Sequence, residues 1–340
     1  MRDVAALAGV SIKTVSRVVN DEPGVSSDLA RRVRQAADQL DYHHDLTASN
    51  LRRAGRRTGT VGLMLEDVSN PFSAAIHRAM WDAAAERGLA LLASSLDEDP
   101  VRERDVARKM IERRVDGLAV VPTSADQSYL RGHIDAGLAM VFIDRPPAFL
   151  DADTALAANH AGAREATQHL IAIGHRRIAF LGDLEAIATA KERQLGYEEA
   201  LQTHGLPVDE RLIRCDLHTR KLADQAVESL LRLPPGVAPT AVFASQNLVT
   251  IGAIRALHRH HLQHLVALVG CDDVELAELL DPGVTVVTYE PYELGQEAAE
   301  LLFSRMDGYR GPSRHRVVPT QLVVRGSGEI RPSEAEVAAT

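Results

Sequence analysis

From Thr60 onward the chain alternates between two textures, and that alternation constrains the fold more than any other feature. Short apolar runs without polar alternation, VGLML, LALLAS, GLAVVP and AMVFID, read as strands buried on both faces. Helical patterns over residues 73–87, 100–113 and 126–136 separate them. A second set follows, RIAFLG, LIRCDL, AVFAS and LVALVG, again with helical stretches between. Repeated strand–helix–strand units build parallel sheets, and each set has a normal domain length. The expected fold is therefore an α/β core of two lobes, each a parallel-sheet subdomain. Ligands of such sheets sit outside the carboxyl ends of the strands, so two lobes joined by crossovers enclose a closing cleft there.

Ahead of that core, residues 4–20 read VAALAGVSIKTVSRVVN. Val4, Ala5, Leu7 and Ala8 form an apolar stripe at helical spacing, and Gly9 suits the left-handed conformation that closes a helix. Ser11 is an N-cap for a second helix from Ile12 to about Val19, whose Val15, Val18 and Val19 face inward. Ile12, Lys13, Ser16, Arg17 and Asn20 remain for the outer face, which suits a helix lying in the DNA major groove. After an Asp-Glu-Pro-Gly turn, Ser26 or Ser27 caps a third helix ending near Leu40. These three helices form an N-terminal all-α headpiece over residues 1–42, with a very small core. Residues 43–57, HHDLTASNLRRAGRR, are polar apart from Leu46 and Leu51 and link headpiece to core.

A formal net charge of −9 fits a nucleic-acid binder only when it is divided along the chain. Residues 1–57 carry 10 Lys and Arg against 7 Asp and Glu, whereas the remainder carries 28 against 40. The basic excess is local, as phosphate contact requires. No apolar run approaches the roughly 18 residues of a membrane span. Met1-Arg2-Asp3 leads into a helix with no apolar export segment, so a cytoplasmic location is expected. Cys215 and Cys271 lie in strand-like runs and read as reduced core residues. His258, His260, His261 and His264 cluster, but no carboxylate or cysteine completes a metal set, and histidines suit a helix end. No P-loop, GxSxG or GxGxxG signature is present, so neither an enzyme nor a cofactor is expected.

The helix-turn-helix stretch resembles that of the lactose-repressor/galactose-repressor (LacI/GalR) family of bacterial transcription regulators. Further segments carry the resemblance from Arg2 to about Arg325: SNPF at 69–72, RRVDGL at 113–118, IDRP at 143–146, GHRRIAFLG at 174–182, GCDD at 270–273 and ELAELLDPGVT at 275–285. Each is weak alone; their order and spacing are specific. The resemblance implies a periplasmic-binding-protein-like core over residues 58–328. Its N-subdomain is expected at about 58–157 plus 286–318, its C-subdomain at about 158–285 plus 319–328, and a disordered tail at 329–340. It also implies that residues 43–57 are a hinge that folds on DNA, with Leu51 as a minor-groove wedge beside Arg52. The DNA-binding set is then Ser11, Ile12, Lys13, Thr14, Ser16, Arg17, Asn20, Leu51 and Arg52.

For the cleft, the resemblance places Asp144, Arg193, Gln246 and Asp272 on a small effector, in many members a sugar; Arg145, which follows Asp144 at the same strand end, and Phe72 and Tyr289, as apolar faces, complete the candidate set. Carboxylates accept from hydroxyls, guanidinium donates, an amide does both, and the aromatics supply apolar faces. The bland alternative for each polar residue is strand-end capping or an interlobe ion pair. The chain departs from the family pattern in four places. No Ser or Thr caps the first helix, Gln246-Asn247 replaces an Asn-Asp pair, HRHHLQH replaces a Gly and Pro before LVALVG, and Leu217 stands where many sugar-binding members have an aromatic residue. The expected protein is a repressor of carbohydrate genes that binds a palindromic operator as a homodimer. The C-terminal tail has no leucine heptad, so no coiled-coil tetramer is expected. Two readings compete: a periplasmic-type sugar-binding protein without a DNA role, and a purine-type regulator dependent on a corepressor.

Overall fold

The computed structural model describes residues 1–19, 23–42 and 58–333, which fall into two compact units divided at Gly59. In the first unit, helices α1 (Arg2–Ala8), α2 (Ile12–Val19) and α3 (Ser27–Gln39) surround a core of Val4, Ala8, Val15, Val18, Val33 and Ala36. Gly9 closes α1 with φ 61°, as its position predicts. The Ser11 hydroxyl accepts from the Thr14 N–H at 3.1 Å, and the Ser26 hydroxyl accepts from the Leu29 N–H at 3.4 Å. Arg32 ties α3 to the end of α1 by donating to the Ala8 carbonyl at 2.6 Å.

The second unit holds two six-stranded sheets. The first has strand order β11-β5-β4-β3-β1-β2, where β1 is Thr60–Leu65, β2 Ala90–Ser95, β3 Gly117–Val120, β4 Ala139–Ile143, β5 Asp153–Ala157 and β11 His315–Val318. The second has order β12-β10-β9-β8-β6-β7, where β6 is Ile178–Leu181, β7 Ile213–Arg214, β8 Ala241–Ala244, β9 Ala267–Cys271, β10 Thr285–Thr288 and β12 Gln321–Val323. All pairings are parallel except β12, which runs antiparallel to β10. The inner strands β3, β4, β6, β8 and β9 are buried throughout, which is why their sequences lack alternation. Edge strand β2 is half exposed.

One subdomain boundary differs from the expectation. Residues 286–288 do not return to the first lobe: β10 lies parallel to β9, with Val286 opposite Gly270. Its four residues are fully buried and find backbone partners on both sides only in the second sheet. The chain crosses after Thr288, and the helix α11 (Pro291–Met306) then packs on α4 (Pro71–Glu86) of the first lobe. Nor is residue 329 the start of a loose tail. His175 is fully buried, and its two ring nitrogens are met by the Thr240 hydroxyl and the Ile330 carbonyl, each at 2.8 Å. Glu329 meets His169 at 2.7 Å.

Two helices of the second lobe approach unusually closely. α7 (Asn159–Ile173) and α8 (Ala188–Thr203) meet at Gly196, where a Cβ would lie 2.3 Å from the His160 carbonyl oxygen. Glycine costs a helix about 1 kcal/mol in propensity, and here the close contact requires it. That contact sets α7 and α8 side by side, so that Asn159 at the start of α7 can hold Arg193 of α8, a residue of the cleft.

Candidate functional site

The cleft between the lobes is built from strand ends. Asp144 follows β4 and Asp272 follows β9, and both hold left-handed backbone, φ 65° and 62°. Each donates its N–H to the neighbouring strand, Asp144 to the Ala155 carbonyl and Asp272 to the Val287 carbonyl, both at 2.9 Å. The two lobes thus aim a carboxylate into the cleft by the same device, at a backbone angle that aspartate tolerates better than most residues.

Between the carboxylates lies Arg193, from the first turns of α8 and 6% exposed. Its Nε donates to the Asn159 side-chain oxygen at 2.7 Å, its Nη1 donates to the Ser245 carbonyl at 2.6 Å, and its Nη2 stands 3.8 Å from Asp272. Burial pushes the Asp272 carboxyl upward, and the Arg193 charge pulls it back in part. Gln246 caps the helix α10 (Asn247–Arg259): its amide oxygen accepts from the Leu248 and Val249 N–H groups at 2.7 and 3.1 Å. That oxygen is taken, so Gln246 meets a ligand chiefly as a donor. Six of the seven expected residues, Phe72, Asp144, Arg145, Arg193, Gln246 and Asp272, line one cavity of about 40 Å³. Tyr289 stands behind it, edge-on to Phe72 at 6.0 Å between ring centroids, with its hydroxyl 3.5 Å from Asp144.

The structure adds residues that the sequence did not single out. Asn70, the N-cap of α4, accepts a hydrogen bond from the Asn247 amide across the cleft at 2.8 Å. His218 also bridges the lobes, with Nδ1 2.8 Å from Asp183 of the second lobe and Nε2 3.4 Å from Glu66 of the first. Asp183 and Glu66 line the same cavity. Hydrogen bonds to Asp183 and Glu66 raise the His218 pKa to about 10 against the opposing effect of burial, so it is an imidazolium at neutral pH. Burial pushes the Asp183 carboxyl up, but the hydrogen bond and charge of His218, the Leu184 N–H and the Arg145 charge together outweigh it and hold the carboxyl below the ordinary range.

A pKa raised on folding stabilises the fold below the unfolded value and loses that contribution as pH climbs to the folded value. The clasp is therefore complete below pH 6.5 and disappears toward pH 10. The melting temperature is expected to fall more steeply across that window in the wild type than in His218→Gln. Parallel pH profiles for the two proteins would show that His218 holds nothing together.

Glu66, Glu98 and His218 have ligand atoms within 4.8 Å of one another, a metal-like grouping. Arg145 holds both oxygens of Glu98, however, and Asp183 holds the imidazole, so the cluster is satisfied as an ion-pair network. His258, His260, His261 and His264 form no such group among the described residues.

In the first unit, Ile12 is 47% exposed at the start of α2, beside exposed Lys13, with Ser16 and Arg17 half-buried along the same helix. The Ser11 and Thr14 hydroxyls bond each other at 2.9 Å. Asn20, Leu51 and Arg52 lie outside the described residues.

Comparison with known proteins places this geometry. Residues 1–45 match the model described as bacterial regulatory proteins, lacI family, and residues 167–328 match the periplasmic binding protein-like domain. The chain is 33% identical to the transcriptional regulator GalR of Escherichia coli K12 over 100% of its own length and 98% of GalR. It is 31% identical to the ribose operon repressor of Halalkalibacterium halodurans, covering 96% of both chains. Its fold matches the structure of the transcriptional regulator CelR in complex with cellobiose, with a TM-score of 0.71, 32% identity and coverage of 96% and 98%. Among the described residues no helix is long and apolar enough to cross a membrane. With the regulator headpiece and the binding-protein-like core in one chain, and both relatives matched end to end, this protein belongs to the LacI family of bacterial transcriptional regulators.

Proposed function

We propose that this regulator represses carbohydrate genes, binding a palindromic operator as a homodimer and leaving it when a sugar enters the cleft. The observation that carries the effector half is the convergence of Asp144, Arg193, Gln246 and Asp272 from both lobes on one cavity beside Phe72. That set offers acceptors, donors and an apolar face together, as a polyhydroxy ligand requires. The relatives named for ribose and solved with cellobiose support a sugar. Exposed apolar side chains on both lobes, Trp81 and Val101 on the first and Leu276 and Leu279 on the second, favour a second copy as partner. Residues 43–57 act as the hinge in this reading, with Leu51 and Arg52 at the minor groove.

The test is a sugar panel on the full chain. A sugar that raises the melting temperature should also release the operator in a gel-shift assay, since coupling between two sites is reciprocal. A sugar that binds and tightens DNA binding would make the protein corepressor-dependent instead. On the DNA side, exchanging Ile12 and Lys13 for another residue pair should change the preferred operator. Loss of a good base contact costs about 1–3 kcal/mol for the cognate base only. Equal weakening on all DNA sequences would assign the pair to phosphates.

A further inference from the structure

The charged groups of the cleft are unequally committed. Arg145 donates from Nη1 and Nη2 to the two carboxylate oxygens of Glu98 at 2.9 and 2.7 Å. Its Nη1 also reaches the Pro122 carbonyl at 3.2 Å, and its Nε lies 3.5 Å from Asp144. The two paired side chains are only 10% and 8% exposed. Glu98 reaches this position from a turn after β2 in which Asp97 and Glu98 both hold left-handed backbone, φ 52° and 53°. L-residues resist that conformation, and the buried ion pair with Arg145 lies at the end of the turn.

Each of the other two cations is engaged as well. Arg193 is held by Asn159 and Ser245, and His218 lies between Asp183 and Glu66. Against these three cations stand the carboxylates of Glu66, Glu98, Asp144, Asp183 and Asp272. What remains available to a ligand is acceptor capacity on Asp144 and Asp272, the donor end of Gln246 and the Nη2 of Arg193, which stands 3.8 Å from Asp272.

We infer that the cleft takes an uncharged, hydroxyl-donating ligand and rejects its phosphorylated form, with Glu98 as the specificity-determining residue that withholds Arg145 from an anion. This rests on the sugar reading above. A phosphate dianion entering the cleft meets an excess of carboxylate in a poorly screened interior, and to gain a guanidinium beyond the Nη2 of Arg193, which already faces Asp272, it must break the bond between Arg145 and Glu98. A neutral sugar does neither.

Calorimetry on the full chain tests this with ribose, galactose and glucose beside ribose 5-phosphate, galactose 1-phosphate and glucose 6-phosphate. The best neutral sugar is expected to bind at least about tenfold more tightly than its own phosphate, the scale of one charge-assisted bond. Glu98→Gln should narrow that gap about tenfold by freeing the guanidinium. A wild type that binds the phosphate equally or more tightly overturns the inference, and so does an unchanged gap in folded Glu98→Gln. Should Glu98→Gln fail to fold, Arg145→Gln decides, because it leaves Glu98 unneutralised. A wider gap in Arg145→Gln supports the inference, and an unchanged or narrower one overturns it. Failure of every sugar and every phosphate on a chain that still binds DNA removes the sugar reading itself, and this inference with it.

Discussion

Arg193→Ala abolishes effector binding and leaves operator affinity nearly unchanged: that is the expected outcome with the largest functional effect. Arg193 holds the second lobe's side of the cleft together, through Asn159 at the start of α7 and the Ser245 carbonyl at the end of β8. Its charge also offsets Asp272, whose carboxylate is otherwise raised by burial. Truncation removes a ligand donor and leaves the Asp272 carboxylate and two buried acceptors without a partner. Removing one member of a buried charged pair costs about 3–5 kcal/mol, and losing a charged hydrogen bond to a ligand costs about 1.5–3 kcal/mol. Affinity for the sugar should therefore drop by about a hundredfold or more. Arg193→Lys keeps the charge but not the forked geometry, and should restore only part of the loss. Calorimetry and a gel shift measured on the same preparation check this. Sugar-driven release that survives in Arg193→Ala would place the ligand elsewhere.

The largest stability effect is expected from Asp153→Ala. Asp153 opens β5 with a fully buried side chain, and two guanidiniums converge on it. Arg305 donates from Nε and Nη2 at 3.0 and 2.7 Å, and Arg314 donates from its backbone N–H and Nη2, both at 2.8 Å. These bonds join β5, the last turns of α11 and the approach to β11. Burial raises the Asp153 carboxyl, but the hydrogen bonds from Arg305 and Arg314 outweigh it and hold the carboxyl below its ordinary value. Its contribution is thus present at neutral pH and is lost as pH falls through the folded pKa. Replacement by alanine leaves two partly buried cations facing each other, a cost of about 3–5 kcal/mol. Denaturant unfolding at pH 7 should show this loss, and the difference from wild type should shrink in acid. A difference that persists unchanged at low pH would assign the effect to packing.

How legible this was in the sequence depended on whether a feature is local. The inner strands could be read because burial on both faces forces an unbroken apolar run, and Asp144 and Asp272 could be read because they end such runs. The lobe of β10 could not, since Thr285–Thr288 is equally apolar in either sheet and only backbone pairing decides. Glu66, Glu98, Asp183 and His218 were missed for a related reason. Each is a single polar residue in a connecting segment, and its meaning comes from a partner on another element, as with His218 and Glu66 across the lobes. Gln246 was found, but its role was only half visible: the sequence does not show that its oxygen is already bonded to the helix it starts. Leu217 is buried, at 7% exposure, within the second lobe's core cluster, consistent with the absence of an aromatic platform there.

The interlobe bonds have a kinetic consequence. A cavity of about 40 Å³ behind the Asn70–Asn247 and Glu66–His218 bridges admits a water but not a sugar ring. Uptake must therefore wait for the lobes to part, and the observed association rate should rise with sugar concentration only until it reaches the opening rate. The apparent affinity is lowered by the fraction of time the lobes are open. Side chains that never touch the sugar thus set both how quickly the regulator senses it and the concentration at which it responds.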